Sequence, residues 1–454
     1  MGMTEKSKSI DRREFLKWLG VIATSGAVGA TLGYFATPSK IVEVEKPPPS
    51  LKIPETPVKI GFQTYYTGAP SILAEPIAKG VKLAVEEINA EGGFLGKRPI
   101  QLLEKDEGTV DDTKKGYIKL VEEDKIDYYL GLISSSNTSA IAPIAEDLGV
   151  LTIFIGGCTN NVFEEIDKNP HFVFRIMPPD SVSHVGLAIM TVLTWPNIKK
   201  IAHLHPDYSF GHDAYMYINA VLEKLLPDFE IVYEGWPPFQ ATDFSSHISS
   251  IIAAKPDVLF TVVWGNDFTL FYKQALGYGL FNQIKVASGY SHGITPNKGP
   301  EKDYPEGCIA GFHGTYYFTN PPIESWPLNK QFVTNYHNKF GEYPNYGAES
   351  GYAGMYALKL AIEKAAKITG GWPDVDKVIE CLEGLQWLTP SGCRYIRPED
   401  HQAYKNAVYG ISSNVPEYNF SVATNITYIP VEKIMQPPGI KAIDWIKNTW
   451  PKLY

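Results

Sequence analysis

The stretch Val58-Lys59-Ile60-Gly61-Phe62, followed by Gln63-Thr64-Tyr65-Tyr66-Thr67-Gly68, decides the fold: an apolar strand run breaks directly into a polar, aromatic loop. A helix is expected next, because Ile77, Val81, Ala84, Val85 and Ile88 recur at spacings of three and four. Asn89-Ala90-Glu91-Gly92-Gly93 ends it, glycine taking the left-handed conformation that helix ends commonly use. Ile100 to Leu103 reads as a second strand, running into the acidic loop Asp106 to Asp112. A second helix turns Tyr117, Leu120 and Val121 inward. Ile126 to Ile133 then reads as a buried strand that delivers Ser134-Ser135-Ser136-Asn137 to its carboxyl end. Ligands of open α/β sheets bind at such ends.

Moving outward, the alternation persists. Strands are expected at Gly149 to Ile155, Phe172 to Ile176, Lys200 to His205, Glu230 to Glu234, Val258 to Val263 and Lys285 to Ala287. Most of them end in polar or aromatic loops: Gly156-Gly157-Cys158-Thr159, Tyr208-Ser209-Phe210-Gly211, Trp264-Gly265-Asn266-Asp267 and Ser288-Gly289-Tyr290-Ser291. Two helices are expected within Asn329 to Ile368, and short strands close the chain. Alternating units of this kind specify mostly parallel sheets, and two sets of them imply two lobes.

Composition bounds the function classes. Apolar residues at 44% and charged residues at 20% of 454 describe a well-packed chain. A net charge of −9 with no long basic run in the body argues against a nucleic-acid partner. The 27 tyrosines and 9 tryptophans suit wet clefts as well as cores. Cys158, Cys308, Cys381 and Cys393 are too few for a disulfide scaffold, although Cys381 and Cys393 are close enough in sequence to bridge.

Residues 1–57 stand apart from the fold. Asp11-Arg12-Arg13-Glu14-Phe15-Leu16-Lys17 and the uncharged run Trp18 to Thr37 resemble a twin-arginine export signal. The run is close to the roughly 20 residues a membrane span requires. Cleavage near Ala36 and retention as an anchor are both open, so residues 1–37 are a signal or an anchor. Residues 38–57, with Pro47-Pro48-Pro49, read as a semi-rigid linker.

Lys59-Ile60-Gly61-Phe62, Thr67-Gly68, Gly80, Leu83-Ala84-Val85-Glu86-Glu87-Ile88-Asn89-Ala90, Gly92-Gly93 and Phe174-Arg175 carry a likeness as a set. The body of the chain resembles, through them, the extracytoplasmic solute-binding proteins of ABC importers, in the branched-chain amino-acid and amide group. The likeness continues through Pro390-Ser391-Gly392 and Arg397 to Gln402. The resemblance implies an α/β fold of the type I periplasmic-binding kind, with two Rossmann-like lobes joined by three hinge crossovers. One lobe would span 58–180 plus 315–390, the other 181–314 plus 391–454. It further implies a monomer that captures a small molecule by hinge closure, without a cofactor, and delivers it to a membrane permease and its ATPase.

By the same resemblance, Ser134, Ser135 and Ser136, with Gly156, Cys158 or Thr159, receive a ligand carboxylate or carbonyl. Converging N–H and O–H donors can hold an anion without a formal positive charge. Phe210, Trp264 and Tyr290 form the opposite wall, and Asp180 stands at an acidic crossover position. Tyr290 occupies the place of the acid that would hold an amino-acid ammonium, and Leu73 a place often held by an aromatic. Amides, urea-like compounds and small carboxylates therefore rank beside amino acids, with Asp267 as a substitute acid.

Other readings are weaker. Gly289-Tyr290-Ser291-His292-Gly293 matches a hydrolase elbow, with Asp400 and His401 downstream, but the following residues are poor in helix formers. His203 and His205, with Asp207 and His212, form a minimal metal-ligand pattern. The strongest alternative is a membrane-anchored sensor with the same two lobes.

Overall fold

The computed structural model describes residues 22–23, 52–68, 70–226, 228–296, 298–311, 313 and 315–450. The arginine-pair segment and most of the linker thus lie outside the described residues. The exception is the backbone of Ile22–Ala23, which pairs antiparallel with Tyr428 and Thr427.

The opening stretch folds as its pattern dictates. β1 (Val58–Thr64), α1 (Ser71–Ala90), β2 (Ile100–Asp106), α2 (Val110–Glu122), β3 (Tyr128–Gly131), α3 (Ser135–Leu148), β4 (Thr152–Phe154) and β5 (Val173–Arg175) follow in order. Their strands form one parallel sheet in the order β2-β1-β3-β4-β5. Local chemistry sets the helix ends. Thr109 and Asp112 exchange side chain-to-backbone bonds in a capping box before α2. Ser134 caps α3, and Gly149 closes it at φ 65°.

A second set follows: α4 (Asp180–Thr194), β6 (Lys200–Leu204), α5 (Ser209–Leu225), β7 (Glu230–Gly235), α6 (Ser245–Ala254), β8 (Val258–Thr261), α7 (Gly265–Gly277), β9 (Lys285–Ser288) and β10 (Ile309–Gly311). The chain then returns to the first lobe with α8 (Pro327–Phe340), α9 (Tyr346–Thr369) and α10 (Val375–Leu382). A small antiparallel sheet follows, β11 (Gln386–Thr389), β12 (Gly392–Ile396) and β13 (Ala403–Tyr404). The last strands, β14 (Ala407–Ser413) and β15 (Val422–Ile429), complete the second sheet, and α11 (Ala442–Asn448) ends the described chain. That sheet runs β15-β14-β10-β9-β8-β6-β7, parallel from β10 to β7 and antiparallel at β14 and β15. The chain passes between the lobes three times.

The third passage falls later than the sequence reading places it. Ile396 and Ala403, assigned to the second lobe, are buried in the first lobe's core. The reason is a backbone tie: the Arg175 N–H donates to the His401 carbonyl at 3.0 Å, and Arg175 bridges to Gln402. Residues 391–404 therefore stay with β5 until β14 begins. Cys381 is buried on α10 and Cys393 is exposed on β12; both are free thiols, so the bridge left open by their spacing does not form.

α1 is the hub of the first lobe. Ile77, Val81, Ala84 and Ile88 pack against Tyr352, Leu358 and Ile362 of α9. The two helix backbones touch. A Cβ on Gly80 would sit 1.9 Å from the Ala348 carbonyl oxygen, and one on Gly351 would sit 2.6 Å from that of Ile77. Backbone cannot yield as a flexible side chain can, so overpacking here costs about 1–3 kcal/mol or more. Gly80→Ala is expected to lower the unfolding free energy from a urea titration by that amount, whereas Gly277→Ala, with open space around it, leaves it nearly unchanged.

Candidate functional site

Parallel strands send all their carboxyl ends to one edge, and here two such edges face each other across a cavity of about 340 Å³. Tyr65 follows β1, Gly108 and Thr109 follow β2, Ser134 to Asn137 follow β3, and Gly156 and Cys158 follow β4. Asp180, at the start of α4, closes the hinge side. Opposite stand Tyr208 and Phe210 after β6, Phe239 after β7, Trp264 after β8, Tyr290 after β9 and His313 after β10. Lys298 of the second lobe reaches Glu342 at 3.1 Å and Glu75 at 3.7 Å in the first.

Nine of the ten residues singled out from sequence thus line one cavity: Ser134, Ser135, Ser136, Gly156, Cys158, Asp180, Phe210, Trp264 and Tyr290. Thr159 does not. Its carbonyl accepts from Arg175 Nη1 at 2.5 Å, which ties it to the first crossover instead. Leu73 lines the cavity as well.

The serine loop is held by a residue that the sequence reading passed over. Glu107 is fully buried and accepts from the backbone N–H groups of Ile133 at 2.9 Å and Ser134 at 2.8 Å. Asn137 Nδ2 donates to the same carboxylate at 3.0 Å. Burial raises the Glu107 pKa to about 7 even though these three donors favour the anion. Its position explains the omission: Glu107 is one of several acids in Asp106 to Asp112, and nothing in spacing marks it. With those N–H groups occupied, the donors facing the cavity are those of Ser135 and Ser136. As the first residues of α3, their N–H groups have no carbonyl partner inside the helix.

The opposite wall is aromatic and mutually braced. Trp264 Nε1 donates to the Tyr208 hydroxyl at 2.9 Å, and Phe239 stacks on Trp264 with centroids 5.1 Å apart. Phe210 meets Tyr290 edge-on at 5.4 Å. The Tyr290 hydroxyl is 3.1 Å from His313 Nδ1, and the two rings stack at 5.5 Å. Burial pushes His313 well below the ordinary histidine range, so it is neutral. Asp267, the substitute acid, lies outside the lining and accepts from the Gln240 N–H at 2.8 Å, fixing the loop that carries Phe239.

Asp180 is the one carboxylate on the lining, and no lysine or arginine joins it among the described residues. The residue is 1% exposed, and Oδ2 has no hydrogen-bond partner. Burial raises its pKa to about 8, Asp213 adding to the shift and Arg175 opposing it. The wall is therefore close to neutral at pH 7, rich in rings, and equipped with donors at one end.

The competing motifs come apart. Ser291 is fully buried in a loop with no helix after it, and its hydroxyl meets His292 Nδ1 at 3.0 Å, while His401 stacks on Phe174. His203 Nδ1 lies 2.9 Å from His205 Nε2, and His212 pairs with Asp207. Among the described residues no group of three or more His, Cys, Asp or Glu side chains is placed to hold a metal ion. No described helix is long and apolar enough to cross a membrane.

Comparison with known proteins gives this geometry a context. The model of the periplasmic binding protein family matches residues 57–410. The chain is 25% identical over 341 residues to "Leu/Ile/Val-binding protein homolog 8" of Brucella abortus (strain 2308), covering 72% of this chain and 80% of that protein. Among solved structures, a solute-binding protein of an ABC transporter from Rhodopseudomonas palustris BisB5, in complex with 3,4-dihydroxybenzoic acid, superposes with a TM-score of 0.71. The two are 25% identical, and the match covers 85% of this chain and 99% of that one. A leucine-binding protein from Thermotoga maritima MSB8, 22% identical with a TM-score of 0.66, shares the fold over 81% of this chain and 98% of its own.

Glu107→Gln puts an amide N–H against the backbone donors of the serine loop. One buried donor then loses its acceptor, which costs about 1–3 kcal/mol. The thermal midpoint is expected to fall accordingly, and hydrogen exchange at Ile133 and Ser134 to speed up. Unchanged exchange at both amides would remove Glu107 from this role.

Proposed function

The chain belongs to the periplasmic binding protein family, and we propose on that footing that it is an extracytoplasmic solute-binding protein. In this reading it closes as a monomer around a small ring-bearing carboxylate and hands it to the permease of an ABC importer. Export by the twin-arginine route, from residues 11–37, belongs to the same proposal. One observation carries it: the strand-end loops of two facing sheets converge on a single cavity with serine donors at one end and an aromatic wall opposite.

The chemistry favours a carboxylate with a ring over an amino acid. The N–H and hydroxyl groups of Ser135 and Ser136 suit a carboxylate. Phe210, Trp264 and Phe239 suit a flat apolar body, and burying one ring contributes about 1.5–3 kcal/mol. Tyr290, where an ammonium-binding acid was expected, is engaged with His313. The 3,4-dihydroxybenzoic acid held by the Rhodopseudomonas palustris relative belongs to the class these groups suit. Hinge closure follows because such a ligand touches both lobes and so favours the closed arrangement.

Asp180 gives the amino-acid reading its specific support, since an unpartnered buried carboxylate oxygen can accept from an ammonium. The two readings differ in sign with pH. Asp180 is neutral below about 8 and ionised above it. An aromatic carboxylate meets a neutral acid at low pH and a repelling anion at high pH, so its affinity falls as pH rises through 8. An amino acid gains a charge partner as Asp180 ionises, so its affinity rises over the same range.

Thermal shift with 4-hydroxybenzoate, benzoate, leucine and an aliphatic amide is the first test. At 100-fold over Kd a true ligand adds about 2.7 kcal/mol of stability. Stabilisation by the benzoates, weakening from pH 6 to 9 and retained in Asp180→Asn, is the expected result. Stabilisation by leucine alone, lost in Asp180→Asn, would turn the assignment to amino acids; turnover of a ligand would end the binding-protein reading.

A further inference from the structure

A second cavity, of about 640 Å³, shares no lining residue with the first. It lies where the lobes are joined: Trp326 follows the second crossover, Lys405 lies in the third, Ser391 is in the turn between β11 and β12, Tyr395 is on β12, and Tyr428 is on β15. The Tyr428 hydroxyl donates to the Pro321 carbonyl, linking the second sheet to the chain segment that returns to the first lobe.

Its base is a cluster of charge that does not balance. Arg394 and Glu349, each with a side chain 1% exposed, form an ion pair. Arg394 Nη1 also donates to the Ile176 carbonyl at 3.0 Å. Lys405 Nζ stands 3.9 Å from the same Glu349 oxygen, so two cations share one carboxylate. Lys405 is 16% exposed at its side chain, and Nζ donates to Ser391 Oγ at 2.8 Å. The one acid on the lining, Glu432, is exposed. Burial lowers the Lys405 pKa to about 8, with Glu349 opposing the shift and Arg394 adding to it. A cation held in such surroundings is stabilised by a further anion placed against it.

Above this base the walls are rings. Trp326, Tyr395, Tyr404 and Tyr428 line the cavity, and Tyr395 meets Tyr404 edge-on at 5.2 Å. Ring faces do little for a hydrated inorganic anion but can bury the body of an organic one. We propose that this second cavity binds a small aromatic carboxylate, its charged end on Lys405 Nζ and Ser391 Oγ and its ring among the tyrosines. Such an occupant touches the small sheet of the first lobe and the edge of the second sheet together. It therefore biases the angle between the lobes and couples to whatever the first cavity holds.

Isothermal titration with sodium benzoate tests the site in the wild type, Lys405→Met, Ser391→Ala and Trp264→Ala. Lys405→Met keeps the volume and removes the excess charge; Ser391→Ala reads the same site if the methionine variant fails to fold. Both are expected to weaken one benzoate event by about tenfold or more, because each removes a partner of the charged end. Trp264→Ala, in the first cavity, leaves that event in place. Benzoate binding that is unchanged in both Lys405→Met and Ser391→Ala overturns the proposal, as does an absence of any benzoate event in Trp264→Ala.

Discussion

In a parallel sheet every strand finishes on the same edge, and the rest of this molecule follows from having two such edges face to face. The strands themselves are buried and carry little chemistry. What differs from strand to strand is the loop that follows, and each of those loops must end in the gap between the lobes. Serine and glycine after β3 and β4 supply donors there, and aromatic residues after β6, β7, β8 and β9 supply a wall. The close passage of α1 over α9 at Gly80 and Gly351 holds the two helices of the first lobe backbone to backbone.

Burial then decides the electrostatics. The charged groups drawn into the crossovers each find a local partner: Arg175 the Thr159 carbonyl and Gln402, Arg394 the carboxylate of Glu349, and Arg397 that of Asp400. Glu107 is occupied with the serine loop's own backbone. Asp180 differs in lining the cavity, as a buried acid with one oxygen unpartnered. A site arranged this way reads its ligand through a helix start and ring faces, and the protonation of one carboxyl sets which charge it tolerates at the hinge side.

Much of this was legible in the chain itself, for definable reasons. Apolar runs placed β1 and β3, and three- and four-residue spacing placed α1, within a few residues, because each lies between polar loops. The serine loop and the aromatic positions Phe210, Trp264 and Tyr290 follow from where strands end. Three things were not legible. Glu107 looks like its acidic neighbours until the fold brings Ile133 and Ser134 to it. Phe239 and His313 join the wall from loops that the sequence pattern does not mark, Phe239 by stacking on Trp264 and His313 on Tyr290. The hold of β5 on His401 and Gln402 is a backbone contact between residues more than two hundred positions apart, so the path of residues 391–404 could not be read from pattern.

A crystal structure of the mature chain grown with 4-hydroxybenzoate tests most directly what the first cavity holds and how. The carboxylate is expected against the Ser135 and Ser136 N–H groups, the ring between Phe210 and Trp264, and both lobes in contact with the ligand. A carboxylate turned away from the serine loop, or a ligand held by one lobe alone, would contradict that assignment.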